Sequence, residues 1–305
     1  MNYQIIQKIF VIVMVLCSAT SYGQQDPIYT QYMFNGMVIN PAYAGSHESI
    51  SLSALSRIQW TDTGSGKPFT STFSGHAPVQ HNLAVGVSFV NDHIGVTDRN
   101  MLMGALAYKI PVGLGKLSFG LQAGLSTYKA GTLLAKDPND PLNQQIDPTA
   151  RPEFGAGVYY YTDKFFLGFS APNLMNQQFG ESDSESYIKL QKHYFAYSGY
   201  VFTFSESLKF RPNVLVKYVE GAPIQMDLNA SFLFNETLWL GASYRSLDAL
   251  SIIAEIQLKN PMIRIGYAYD FATTDLMKEQ YGTHEIVLNY RFGINKNVIL
   301  TPRYF

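Results

Sequence analysis

The run Met262-Ile263-Arg264-Ile265-Gly266-Tyr267-Ala268-Tyr269-Asp270 decides the fold class. Successive side chains of a strand point to opposite sides. Ile263, Ile265, Tyr267 and Tyr269 therefore share one face, and Arg264, Gly266, Ala268 and Asp270 share the other. No helical spacing gathers either set on one side. The pattern recurs. In 224–234, Ile224, Met226, Leu228, Ala230, Phe232 and Phe234 oppose Gln225, Asp227, Asn229 and Ser231. In 284–292, Ile286, Leu288, Tyr290 and Phe292 oppose Glu285, Val287, Asn289 and Arg291. In 117–126, Leu117, Phe119, Leu121, Ala123 and Leu125 alternate with Ser118, Gly120, Gln122, Gly124 and Ser126. A soluble strand averages about five or six residues. A tilted strand needs about 9–11 to cross a bilayer, which is the length seen here.

Composition narrows the choice further. The chain has 305 residues, 22 Lys plus Arg against 23 Asp plus Glu, and a net charge of −1. Hydrophobic residues make up 47% and aromatic residues 14%, while 15% are charged. That excludes a disordered chain, which needs low hydrophobicity and high net charge. It also excludes a nucleic-acid partner, which calls for a basic excess. A mean hydropathy of −0.03 is too low for a helical membrane bundle. A transmembrane barrel, apolar at every second residue, has that middling value.

The amino-terminal residues read as a secretory signal, 1–23. Lys8 precedes the apolar run Ile9–Cys17, too short for a membrane-spanning helix, and Ser21-Tyr22-Gly23 offers small residues for cleavage before Gln24. A lipoprotein reading at Cys17 meets bulky Leu16 where a small residue is required. Cleavage removes the one cysteine, so the exported chain has no disulfide to stabilise it. No later segment has 18 consecutive apolar residues.

Fourteen candidate strands follow, near 49–58, 69–75, 83–91, 100–110, 115–127, 153–161, 164–171, 193–204, 208–218, 224–234, 237–245, 250–259, 262–271 and 284–292. Connectors after even-numbered strands are short, such as Thr162-Asp163, Asn235-Glu236 and Asn260-Pro261. Connectors after odd-numbered strands include Gln59–Pro68, Tyr128–Pro152, Pro172–Lys192 and Ala272–Thr283. Short turns at one end and long loops at the other are the outer-membrane pattern, with the short turns periplasmic. A soluble sandwich shows no such parity. Aromatic residues near strand ends, Tyr159-Tyr160-Tyr161, Phe165-Phe166, Tyr267, Tyr269, Tyr290 and Phe292, fit interfacial girdles. The expected architecture is an all-β transmembrane antiparallel barrel over 49–305, with a short periplasmic or plug segment at 24–48. The polar face carries Asp227, Arg245, Glu255, Arg264, Asp270, Glu285 and Arg291 as lumen charges, the last four of Arg264, Asp270, Glu285 and Arg291 being candidates for cross-strand pairing.

Motifs for chemistry are missing from the sequence. There is no His-Glu-x-x-His, no phosphate-binding Gly-Lys-Ser/Thr loop and no Gly-x-Ser-x-Gly elbow. His47, His76, His81, His93, His193 and His284 are scattered. Asp137-Pro138-Asn139-Asp140-Pro141 lacks the spacing of a calcium loop and reads as a surface turn. Asp92 and His93 could imitate two members of a hydrolase trio, with no serine placed beside them. Neither cofactor nor metal is expected.

The chain also resembles a known family. Gln25-Asp26-Pro27-Ile28-Tyr29-Thr30-Gln31-Tyr32-Met33-Phe34-Asn35 and Asn40-Pro41-Ala42-Tyr43-Ala44-Gly45-Ser46 look like the amino-terminal signature of the PorP/SprF family. Arg57-Ile58-Gln59-Trp60, Leu117–Gly124, Gly221-Ala222-Pro223, Asp227–Ala230, Gly266–Asp270 and His284-Glu285-Ile286 continue the likeness in order. The resemblance implies an outer-membrane protein of the type IX secretion system, without catalytic activity. Such a protein serves export and surface anchoring of client proteins, notably gliding adhesins, through their C-terminal sorting domains. Implied partners are that sorting domain, other secretion components including a peptidoglycan-binding periplasmic protein, and outer-membrane lipid. The alternative reading is a porin or transporter for small solutes. Met33, Phe34, Met37, Val38 and Ile39 make 26–46 too apolar for a solvated tail. Within it, Tyr29, Tyr32, Phe34, Asn35, Asn40, Pro41, Tyr43 and Gly45 are the candidate partner-binding or plug residues.

Intact-mass and amino-terminal peptide analysis of the exported protein should find Gln24 as its first residue and no reactive thiol. A lipid-modified Cys17 at the amino terminus would contradict this.

Overall fold

The computed structural model describes residues 27–61, 66–80, 82–132, 146–179, 188–246, 248–259, 262–274, 278 and 280–293. The expected signal segment, 1–23, and the stretch 137–141, expected as a surface turn, lie outside the described residues. The strands are β1 (Ile50–Ile58), β2 (Phe69–Pro78), β3 (Leu83–Ile94), β4 (Thr97–Val112), β5 (Gly115–Ala130), β6 (Ile146–Tyr161), β7 (Phe165–Asn173), β8 (Gln177–Phe179) and β9 (Ile188–Leu190). They continue with β10 (His193–Tyr200), β11 (Phe202–Thr203), β12 (Leu208–Val219), β13 (Gln225–Phe234), β14 (Leu238–Arg245), β15 (Ala249–Lys259), β16 (Met262–Ala272) and β17 (Thr283–Phe292).

Fourteen of these make one antiparallel sheet in which each strand pairs with its neighbours in the chain. β10 joins β7 to β12, and β1 pairs with β17 to close the barrel. Each of the fourteen candidate strands corresponds to one staves-like strand of this wall, with the 193–204 run interrupted at Val201. β8 and β9 form a separate hairpin beyond β7, and β11 continues β10 against the start of β12.

Turn chemistry explains the tight hairpins. Gly95 and Gly113 hold φ of +64° and +58° at the first position of two-residue turns, where glycine suits the twist of a hairpin. Asn235 and Glu236 both hold positive φ, and the Thr237 N–H donates to the Phe234 carbonyl at 3.0 Å, a type I′ turn. The end that carries 131–145 and 174–192 is the outward end by the loop-length rule. There the barrel extends further than the sequence suggests. β4, β5 and β6 each have 16 residues, about 53 Å at about 3.3 Å per residue, well beyond a hydrocarbon core of about 30 Å. The Tyr128–Pro152 connector shrinks accordingly, because β5 runs to Ala130 and β6 begins at Ile146.

Burial is inverted relative to a soluble protein. On β4 and β5, Leu102, Leu106, Tyr108, Phe119 and Leu121 are exposed, Leu121 by 66%. Ser118, Gln122, Ser126, Arg99 and Lys109 are buried on the opposite face. Water would reverse that arrangement; lipid outside and a filled interior require it. One expectation fails here. Tyr159, Tyr161 and Phe166 do not join an interfacial girdle. Alternation turns them inward, each about 2% exposed or less, while Tyr160 and Phe165 remain on the outer face. Consecutive aromatics on a strand cannot all face lipid.

Two measurements follow. Thr132→Cys should react with a membrane-impermeant maleimide on intact cells, and Asn235→Cys should react only after the outer membrane is permeabilised; the opposite result would reverse the orientation. Leu121→Arg, near mid-membrane, should lower unfolding free energy in lipid vesicles by about 2–4 kcal/mol. Thr127→Arg, beside the exposed Lys129, should cost about 0–1 kcal/mol.

Candidate functional site

Residues 27–49 lie inside the barrel. A short 3₁₀ turn (Tyr32–Phe34), a single helical turn (Gly36–Ile39) and a second 3₁₀ turn (Pro41–Tyr43) fold them compactly. Asn40 sets the last of these. Its side-chain oxygen accepts from the Ala42 N–H at 2.9 Å, and Pro41 supplies a fixed φ at the first turn position. Its amide nitrogen donates to the Val158 and Phe169 carbonyls at 3.1 and 3.4 Å, tying the turn to β6 and β7. The wall makes room by omission. A Cβ on Gly120 would collide with the backbone of Pro41–Ala42, and one on Gly157 with the Asn40 side chain.

The segment runs down the lumen from the outward end to the periplasmic end. At the top, the Thr30 and Gln31 N–H groups donate to the two Glu285 oxygens at 2.9 and 2.7 Å. The Thr30 hydroxyl sits 2.9 Å from both Asp270 oxygens and accepts from Arg57 at 3.1 Å and Arg245 at 3.3 Å. Lower down, the Arg264 guanidinium lies 5.0 Å over the Phe34 ring, and Thr72 donates to Asn35 at 3.3 Å. Ser170 donates to the Ile39 carbonyl at 2.6 Å. The Gly45 N–H donates to His76 Nδ1 at 3.0 Å, and Lys109 donates to the Gly45 carbonyl at 3.0 Å. Glu48 pairs with Lys116 at the periplasmic start of β5, and the chain then enters β1.

Aromatic packing fills the lower half. Tyr43 meets Tyr159, His47 and His76 with ring centroids 5.5, 5.4 and 5.6 Å apart. Tyr159 continues the stack to Tyr161 and Tyr197 at 5.3 and 5.9 Å. Burial, with the Asp227 charge, pushes the Tyr32 hydroxyl well above the usual tyrosine pKa.

All eight candidate residues, Tyr29, Tyr32, Phe34, Asn35, Asn40, Pro41, Tyr43 and Gly45, are buried within the lumen. The seven anticipated lumen charges also face inward and are buried. Asp227 and Arg245 stand opposite each other on β13 and β14, with Nε 3.1 and 3.0 Å from the two carboxylate oxygens. Glu255 meets Arg211 at 3.4 Å. The pairing expected among Arg264, Asp270, Glu285 and Arg291 does not form. Asp270 and Glu285 occupy the outward ends of β16 and β17, Arg264 and Arg291 the periplasmic ends, so most of a strand separates them. Arg57 takes both acids instead, at 2.7 and 2.9 Å, while Arg264 donates to Gln257 and Arg291 to Asn289. Arg57, Thr30 and Gln31 are the residues that pattern reading missed. β1 hides Arg57 because Leu55 faces inward and Ser56 outward, blurring the alternation around it. The Asp92–His93 pairing also fails: neighbours on a strand face apart, so His93 contacts Asp98 at 2.7 Å and Asp92 accepts from Thr70 at 2.6 Å. Among the described residues no cluster of three His, Cys, Asp or Glu could hold a metal ion.

Solved barrels align with this chain. The CymD monoaromatic hydrocarbon channel aligns with a TM-score of 0.52 at 15% identity, covering 89% of this chain and 95% of that one. A Pseudomonas aeruginosa FadL homologue aligns at 0.49 and 12% identity over 84% and 93%, and the Acinetobacter baumannii outer membrane protein Omp33 at 0.48 and 10% over 80% and 98%. At such identity the CymD likeness is one of fold. Among curated proteins, none matches the chain significantly in sequence. The family described as type IX secretion system membrane protein PorP/SprF matches residues 21–290, from before the lumenal segment to β17. With its closed wall and apolar exterior, this is an outer-membrane barrel, and the chain belongs to the PorP/SprF family of type IX secretion system membrane proteins.

Proposed function

We propose that the protein is a non-enzymatic component of the secretion apparatus that supports export and surface anchoring of client proteins, gliding adhesins among them. It does so by holding the client's C-terminal sorting domain at the outer membrane. What supports the reading is the occupied lumen: residues 27–49 pack against both halves of the wall, from Asp270 and Glu285 to Val158 and Phe169. A conduit for small solutes needs an aqueous passage, whereas a holding barrel does not. Residues 25–46 then act as a plug, with secretion components and a peptidoglycan-binding periplasmic protein as partners at the short-turn end.

Deleting residues 25–46 from the chromosomal copy tests this. The barrel should still show heat-modifiable migration, the cognate adhesin should disappear from the cell face, and sensitivity to a bulky antibiotic should rise as the lumen empties. Unchanged adhesin display in cells lacking the whole protein, together with impaired uptake of a small solute, would favour the transport reading instead.

A further inference from the structure

The outward end of the lumen contains an ion cluster whose pairs form within the wall itself, without the inner segment. Arg57 and Glu285 stand opposite each other across the β1–β17 seam, and Arg57 also contacts Asp270 on β16. Yet both oxygens of Glu285 and both oxygens of Asp270 turn toward Thr30–Gln31. What the carboxylates read is two main-chain N–H groups and one side-chain hydroxyl. Two consecutive main-chain N–H groups fill Glu285. One hydroxyl donates to Asp270 and accepts from Arg57 and Arg245, using its single proton and both lone pairs.

The piece of chain that satisfies this cluster is not part of the wall. Residues 27–31 precede the first 3₁₀ turn and form no strand. Pro27 and Ile28 are half-buried, and Ile28 lines a small cavity with Lys217, Gln225 and Asp227 at the outward ends of β12 and β13. Removing Thr30–Gln31 would leave Arg57 still bridging Asp270 and Glu285, with Arg245 3.9 Å from Asp270, so the ion pairs of the wall would remain. It would also leave carboxylate oxygens without the N–H and O–H donors they now have, a deficit that water or another peptide must fill.

We propose that Arg57, Arg245, Asp270 and Glu285 form a peptide-binding site at the outward end of the lumen, occupied in cis by Thr30–Gln31. An extended client segment bearing a serine or threonine takes the place of Thr30–Gln31 alone, while the contacts of Asn40, Ile39 and Gly45 keep the rest of the segment in the lumen, where the function above needs it. This rests on the client-holding function above and supplies its chemistry: two adjacent backbone amides and one hydroxyl. A tethered occupant competes at an effective concentration in the millimolar range, so the site stays filled until a client arrives.

The test uses the purified barrel in detergent, as the full mature chain and as a chain lacking residues 27–31, both confirmed as assembled by heat-modifiable migration. The probe is a fluorescent peptide of residues 27–36, followed by anisotropy. It should bind the shortened barrel and bind the full chain at least tenfold more weakly. Thr30→Ala in the peptide, or Glu285→Gln in the shortened barrel, should weaken binding tenfold or more. No binding to an assembled shortened barrel, or equal binding to its Glu285→Gln variant, would overturn the proposal. In cells, adhesin display that requires the barrel but ignores Glu285→Gln would overturn this site alone. Display that ignores loss of the entire barrel would overturn the client reading while leaving the peptide result intact.

Discussion

Hydrocarbon offers no hydrogen bonds, so a strand that crosses a membrane cannot leave one edge of its backbone open. Everything else in this protein follows from meeting that condition. The sheet must return to its first strand, and it does so through a β1–β17 ladder that runs in unbroken register from Ile50 opposite Phe292 to Ile58 opposite His284. Closure also removes the exposed edges through which strands aggregate. The register then fixes what faces what in the interior. Arg57 falls opposite Glu285, and Asp227 opposite Arg245, because the ladders place them there.

Once the wall is closed, its polar face has to be satisfied from within. Arginines and carboxylates at 0–4% exposure carry large desolvation costs, and removing one partner of such a pair typically costs 3–5 kcal/mol, on the order seen across buried ion pairs generally. The inner segment shares in that task with main-chain groups as well as side chains. Thr30 with Gln31, Asn40 and Gly45 bond to wall residues at three different places around the barrel. Apolar residues of the segment, Met37 and Ile39 among them, fill what the polar contacts leave, so a face made of serines, glycines and charges still bounds a packed interior.

The wall was legible because period-two alternation is imposed by the pleat and survives in runs such as Met262–Ala272 and Gln225–Phe234. Connector parity was legible because the spacing between alternating runs gives loop length directly, and Gly113 and Asn235 hold positive φ in two of the short turns. The interior was not. Which inward-facing charges meet depends on their height in the wall, and Arg264 and Asp270 share a face yet sit near opposite ends of β16. Aromatic placement failed similarly, since Tyr159, Tyr160 and Tyr161 read alike in sequence but alternate between lumen and lipid. The apolar character of the 26–46 segment pointed to burial; its path past Glu285, Ser170 and His76 came from contacts that no local pattern encodes.

That path has a consequence in time. Thr30 and Glu285 are 255 residues apart, and Thr30 and Asp270 are 240 apart. Contacts of such separation form slowly, because the chain between them must first be ordered. Thr30, near the start of the described residues, is therefore fastened by β16 and β17, beside the seam that β17 makes with β1. A barrel halted before β16 and β17 has most of its wall but lacks both carboxylates, Asp270 and Glu285, to which Thr30 donates. Seating the outward end of the inner segment and sealing the cylinder are thus one late event, while its lower contacts with β2, β4, β6 and β7 depend on earlier strands.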